Sequence, residues 1–146
     1  MKETGEKPFS SEEGEPAKVP RPLRILVADD DRDTVLTLMM LLREEGYDVQ
    51  GLHSGREVMR RITDFDPDVV ILDINMPERS GWELARTIRA RHDKGRPMLI
   101  GISGKYKAGS DKVLSQVVGL DHYLVKPCAP AELLALIAPL RTPGGP

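Results

Sequence analysis

Acidic, hydroxyl and basic side chains recur at matching places in this chain. Asp29-Asp30-Asp31, Asp73, Ser103 and Lys126 each follow directly on a short apolar run. Three or more carboxylates gathered in one crevice repel one another. A hard divalent cation with oxygen ligands relieves that repulsion, and Mg²⁺ in particular keeps some waters and accepts phosphate oxygens. Lys126 would add a further positive charge and Ser103 a hydroxyl. The set meets the needs of aspartyl phosphorylation: a carboxylate nucleophile, a metal, and a cation and a hydroxyl for the phosphoryl oxygens.

Such groups can meet if the apolar runs are parallel strands, because ligands of an open parallel sheet bind beyond the carboxyl ends of its strands. The run Asp68-Val69-Val70-Ile71-Leu72-Asp73-Ile74-Asn75-Met76-Pro77 reads as a strand covered on both faces. Asp73 at its end must therefore be hydrogen-bonded, paired or metal-bound. From Leu23 onward, apolar runs alternate with amphipathic ones in five strand-helix units. Leu23 to Ala28 is the first strand, and Val35, Leu38, Met39 and Leu42 line one face of the helix that Gly46 stops. Asp48 to Leu52, with polar residues and a glycine, suits a sheet edge. Ser54-Gly55-Arg56-Glu57 and Ser80-Gly81-Trp82-Glu83 read as capping boxes, followed by Val58 and Ile62 and by Leu84 and Ile88 facing inward. Met98 to Ile102 is the fourth strand, Lys112 to Val118 the fourth helix and Tyr123 to Val125 the fifth strand. Pro130 opens a last helix through Leu140.

Composition narrows the function classes. A length of 146 residues with 40% hydrophobic residues suits one domain. The 21 basic against 23 acidic residues lack the basic excess that draws a chain to nucleic acid or membrane. One cysteine precludes an internal disulfide, and no apolar run reaches membrane-spanning length. The expectation is a reduced, soluble, cytoplasmic protein. Residues 1–20, in which Phe9 and Val19 are the only large apolar side chains after Met1, read as a disordered tail without a signal-peptide core. Thr4-Gly5-Glu6-Lys7-Pro8-Phe9 looks like a zinc-finger linker, but no finger-spaced Cys or His pair follows. Residues 21–140 are expected to form the domain, and 141–146 a tail too short for an effector.

Several separated motifs now coincide: Ile25-Leu26-Val27-Ala28-Asp29-Asp30, Asp73-Ile74-Asn75-Met76-Pro77 with Gly81, Ser103, and Gly119-Leu120-Asp121-His122-Tyr123-Leu124-Val125-Lys126-Pro127. From Arg24 to Leu140 the chain resembles the receiver domain of two-component response regulators, similar to CheY. The resemblance implies an α/β fold, flavodoxin-like and doubly wound, with a five-stranded parallel sheet in the order 2-1-3-4-5. It implies that Asp73 is the phosphoacceptor, that Asp30, Asp73 and the Asn75 backbone carbonyl ligate Mg²⁺ (or Mn²⁺), and that Asp29 acts through a metal-bound water. Lys126 and Ser103 would hold the phosphoryl oxygens, Ser103 and Tyr123 would form the switch, and Asn75 and Lys105 would set the decay rate. The Lys126-Pro127 bond is expected to be cis. The implied partners are a histidine kinase or histidine phosphotransfer protein and a downstream protein docking on the face of the fourth helix, fifth strand and fifth helix, with no direct nucleic-acid or membrane binding. The chain would be a signalling switch, not an enzyme for an external substrate.

Some positions depart from the family pattern. Gly104 stands where Ala is usual, and Cys128, where an apolar residue often follows Lys-Pro, reads as a small core hydrophobe. Asp31 reads as a helix N-cap, Trp82 as a packing residue, and His53, His92 and His122 as surface residues. Capping explains one Asp per helix, not three in a row with Asp73 and Lys126. A haloacid dehalogenase-type phosphatase is an alternative, since Asp29-x-Asp31-x-Asp33 approaches its Asp-x-Asp-x-Thr; it lacks the Thr and leaves the Asp73 motif unexplained. A phosphorelay intermediate or phosphate sink without output is another. A DNA-binding regulator would need a helix-turn-helix segment, and none remains after Leu140.

Overall fold

The computed structural model describes residues 21–76, 79–92, 96–104 and 119–141. The expected N-terminal tail, Lys105, the expected helix Lys112 to Val118 and residues 142–146 lie outside them. Five parallel strands, β1 (Arg24–Ala28), β2 (Asp48–Leu52), β3 (Val69–Asp73), β4 (Met98–Ser103) and β5 (His122–Val125), form one sheet in the order β2-β1-β3-β4-β5. The alternation of side chains along each strand divides the core in two. Leu26, Ala28, Val70, Leu72 and Leu99 face helices α2 (Val58–Phe65) and α3 (Gly81–Arg91). Ile25, Val27, Val69, Ile71, Ile100 and Ile102 face α1 (Arg32–Glu44) and the C-terminal helix Pro130–Ile137. All five residues of β3 are buried, as a strand covered on both faces requires.

Local chemistry sets where each helix begins and ends. Asp31 caps α1 by accepting from the Asp33 N–H, and Gly46, at φ +93°, takes the left-handed conformation past its end. Ser80 caps α3 through the Trp82 N–H, and Arg89 and Arg91 complement the dipole at its last turn. Two expectations need correction. Ser54 accepts from the Arg56 N–H, but the turn it opens, Gly55–Glu57, is a 3-10 turn, and α2 starts only at Val58 without a side-chain cap. The last α-helix stops at Ile137 and tightens into a 3-10 turn over Ala138–Arg141, short of the expected Leu140. Pro139 lacks the N–H that another α-turn would use, and its ring crowds the preceding turn. The histidines also differ from expectation: His53 is exposed, but His122 is half-buried because it opens β5 opposite Ile100, and His92 is half-buried at the end of α3.

The register delivers the chemistry-bearing groups to one edge. Ala28 lies beside Leu72, so Asp29 and Asp73 leave β1 and β3 at the same level. Asp73 lies beside Ile102, one residue before Ser103, and Ser103 beside Val125, one residue before Lys126. Strand order reverses between β1 and β3, which opens a crevice at their carboxyl ends.

Gly81 seats α3 on this edge. A Cβ there would lie 2.6 Å from the Ile74 Cα and 2.8 Å from the Asp73 carbonyl oxygen, both backbone atoms that cannot swing aside. Gly81→Ala is expected to cost about 1–3 kcal/mol, the usual range for overpacking. A urea midpoint unchanged from wild type would show that the strand end yields more freely than its geometry implies.

Candidate functional site

Two aspartates bracket β3, and their surroundings pull them in opposite directions. Asp68, at its entrance, accepts from Arg21 at 2.9 Å, from the Arg24 N–H at 2.9 Å and from Arg96 at 2.9 Å. Burial alone would raise its pKa, but the Arg21 and Arg24 hydrogen bonds and the arginine charges outweigh it and hold the carboxyl below its ordinary value. Asp73, at the exit, is 5% exposed. Its Oδ1 accepts from the Asn75 N–H at 3.0 Å, and its Oδ2 lies 3.7 Å from Lys126 Nζ. Burial, then the charge of Asp29 and the contact with Asp30, lift Asp73 from 3.8 to about 6, against the pull of the Asn75 N–H and Lys126. One end of the strand is electrostatically complete, whereas the other is short of positive charge.

The remaining groups gather around Asp73. One carboxylate oxygen each from Asp29, Asp30 and Asp73 lies within 4.8 Å of the others, with Asp30 exposed at the mouth. Asp29 is 3% exposed; its Oδ1 accepts from the Asp31 N–H at 2.9 Å and its Oδ2 from Lys126 Nζ at 2.9 Å. Burial pulls the Lys126 ammonium down, but the hydrogen bond and charge of Asp29, with Asp73 and Asp30 behind it, hold it above its ordinary value. Lys126-Pro127 is cis, as expected, and so is Arg96-Pro97. Ser103, buried, donates to Asn75 Oδ1 at 2.7 Å. One ammonium shared among three carboxylates leaves room for a divalent cation, and the all-oxygen donor set suits a hard one.

Asp31 is exposed and accepts from Thr34 Oγ1 at 3.0 Å and from the Asp33 N–H, which together lower its pKa. It serves α1 as an N-cap and stands outside the three-carboxylate group. Cys128 packs half-buried against the core, and burial pushes its thiol up, as suits a small core hydrophobe. Gly104 faces open space, where an added Cβ would come no nearer than 4.0 Å to Lys126 Cβ. A hollow of about 360 Å³ between α1 and the C-terminal helix, lined by Leu38, Leu41, Cys128 and Leu133 among others, reaches Lys126 but not Asp73. The three carboxylates do not line it.

Sequence reasoning missed how α3 meets β5 and the segment before it. Trp82 packs on the core as expected, and its ring also meets that of Tyr123, with centroids 5.4 Å apart and planes at 49°. Seven residues along the same helix, Arg89 Nε donates to the Gly119 carbonyl at 2.9 Å and its guanidinium pairs with Asp121. Asp121 in turn accepts from the Leu99 N–H at 2.7 Å. Two α3 side chains on one face thus brace the approach to β5; their seven-residue spacing was the only signal in the sequence.

A doubly wound parallel sheet with an acidic crevice at its switch point, faced by a lysine and a buried serine, defines a CheY-like α/β protein. The family model described as response regulator receiver domain matches residues 25–138, and the chain belongs to that family, the receiver domains of two-component signalling. It is 38% identical over 117 residues to the transcriptional regulatory protein PrrA of Mycobacterium leprae, covering 80% of this chain and 49% of that protein. The chain thus spans about half the length of that relative. Among solved structures it is similar to a CheY-like response regulator receiver domain protein from Methanospirillum hungatei JF-1, with a TM-score of 0.75 and 28% identity over 81% of this chain and 92% of that one. It is also similar to the chemotaxis protein CheY4 of Vibrio cholerae, with a TM-score of 0.75 and 25% identity over 81% and 98%. Family membership displaces the haloacid dehalogenase alternative, whose Asp-x-Asp pattern here includes the capping residue Asp31. Among the described residues no helix is long and apolar enough to cross a membrane.

Proposed function

We propose that this receiver accepts a phosphoryl group on Asp73 from a histidine kinase or histidine phosphotransfer protein and signals by phosphorylation-dependent binding of a partner. The observation that carries this reading is the meeting of the Asp29 and Asp30 carboxylates and Lys126 around the buried Asp73 carboxyl, with Ser103 linked to it through Asn75. An Asp73 oxygen attacks phosphorus, the P–N bond to the donor imidazole breaks, and its electron pair leaves with the imidazole, which takes up a proton. Asp30, Asp73 and the Asn75 carbonyl would hold Mg²⁺, or Mn²⁺ in its place, with Asp29 acting through a water. When bound, that cation supplies positive charge for the phosphoryl oxygens. Lys126 turns from Asp29 toward the transferred group, and Ser103 donates its hydroxyl to it. Asn75 and Lys105 set the decay rate. The chain catalyses only its own phosphorylation and dephosphorylation, in the cytoplasm, without direct contact to nucleic acid.

Output runs through Tyr123 on β5. Tyr123→Ala is expected to keep acid-labile labelling from acetyl phosphate with Mg²⁺ while losing phosphorylation-dependent capture of its partner. Absence of label on the wild-type protein would refute the receiver reading. Labelling with no phosphorylation-dependent partner would favour a phosphorelay intermediate or sink.

A further inference from the structure

The hydroxyl of Ser103 is engaged before any phosphoryl group arrives. It donates to Asn75 Oδ1 at 2.7 Å, while the Asn75 N–H donates to Asp73 Oδ1 at 3.0 Å. Asn75 therefore touches the acceptor carboxylate with its backbone and the buried switch hydroxyl with its side chain. The segment is held in place by the Ile74 N–H, which donates to the Ile102 carbonyl at 2.9 Å. A serine hydroxyl has one proton and donates it to one acceptor at a time. We propose that the Asn75 side chain is a latch that holds Ser103 in the resting position and must surrender its hydrogen bond before Ser103 can turn to a phosphoryl group on Asp73.

This rests on the receiver reading and adds a positioning role for Asn75 separate from its effect on decay. The exchange runs in favour of the phosphorylated state because a charged phosphoryl oxygen is a stronger acceptor than a neutral amide, by roughly a factor of two in hydrogen-bond strength. The latch lowers the population of the competent state in the resting protein. Removing it raises apparent affinity for the activating group without any new contact to that group. The consequence reaches Tyr123, which lies beside Gly101 in the β4 register, two residues before Ser103, and rests against Trp82. Trp82 is the single tryptophan of the chain, so its emission reports on this corner alone.

Beryllofluoride with Mg²⁺, an unhydrolysable phosphoryl analogue, separates the latch from phosphoryl decay. Its binding is followed by its ¹⁹F resonance and by Trp82 emission in wild type, Asn75→Ala, Ser103→Ala and the double variant. Asn75→Ala keeps the backbone N–H and carbonyl, and should move the midpoint to roughly fivefold lower beryllofluoride, the net effect of one neutral hydrogen bond. Its unliganded emission should shift part of the way toward the liganded wild-type value. In the Ser103→Ala background the same substitution should change nothing, because the latch has no hydroxyl to hold. An Asn75→Ala midpoint equal to wild type, or an equal gain with and without the Ser103 hydroxyl, would overturn the latch. If wild type binds no beryllofluoride and takes no label from acetyl phosphate, the receiver reading fails and the latch with it; labelling with an unaltered Asn75→Ala midpoint sinks the latch alone.

Discussion

Asp73→Asn is expected to abolish acid-labile labelling and, in the metal-free protein, to raise stability at neutral pH. The first effect is chemical, since the amide cannot serve as the nucleophile that a carboxylate provides. The second follows from the lift of the Asp73 carboxyl from 3.8 to about 6 by burial and by its acidic neighbours. Below about pH 3.8 the group is protonated in both folded and unfolded chains and costs nothing. As pH rises from there to about 6, the unfolded chain releases a proton that the folded protein keeps, so stability falls. Above that window the folded protein carries the whole cost of the buried charge. The crevice is open at Asp30 and Asn75, both exposed, so water screens part of this cost, leaving about 1–2 kcal/mol. Asn keeps an oxygen for the Asn75 N–H, and Lys126 keeps Asp29, so the substitution removes the charge with little else. Denaturant melts with a chelator present should find the two proteins alike near pH 4 and Asp73→Asn more stable above pH 6.5. Equal labelling, or a stability difference that does not grow with pH, would contradict the assignment of Asp73.

Much of this site was legible because its parts are strand ends, and strand ends are announced by where apolar runs stop. Val69 to Leu72 is apolar throughout, so the burial of β3 and the place of Asp73 at its carboxyl end followed directly. The polar, glycine-containing run Asp48 to Leu52 correctly marked an edge strand. What the sequence could not supply was the pairing of side chains across the crevice. Asp29, Asp30 and Asp31 are chemically identical in a string. Register and the α1 cap decide that Asp31 turns outward while Asp29 takes Lys126. Ser103 and Asn75 are 28 residues apart, and no local pattern predicts that one donates to the other. The two misplaced helix boundaries share a physical cause: residues near helix ends had several ways to satisfy their hydrogen bonds, and Pro139 and the Ser54 turn chose the tighter one. The Trp82–Tyr123 contact joins α3 to β5, and only the folded sheet brings those elements together.

The acidic crevice is also expected to make stability depend on a divalent cation. A ligand that binds only the folded chain stabilises it by RT ln(1 + [L]/Kd), about 2.7 kcal/mol at a hundred times Kd. Wild-type thermal melts should rise by several degrees between chelator and millimolar Mg²⁺. The gain should be largest where Asp73 is ionised. A metal-binding carboxylate must lose its proton, and Asp73 holds its own up to about pH 6 in the metal-free protein. The Mg²⁺-induced shift is therefore expected to be small near pH 5 and to reach its full size above pH 7. Asp30→Asn removes the exposed member of the three-carboxylate group while leaving the Asp29–Lys126 pair and the Asp73–Asn75 contact in place. Its metal-free melting temperature should stay near that of wild type or rise slightly, because one of three mutually repelling carboxylates is gone. Its Mg²⁺ shift should shrink at every pH. Identical Mg²⁺ shifts in wild type and Asp30→Asn would remove Asp30 from the ligand set, and a shift independent of pH between 5 and 7 would remove Asp73. A cation bound elsewhere on the surface would produce both of those outcomes together, which separates it from a site in the crevice.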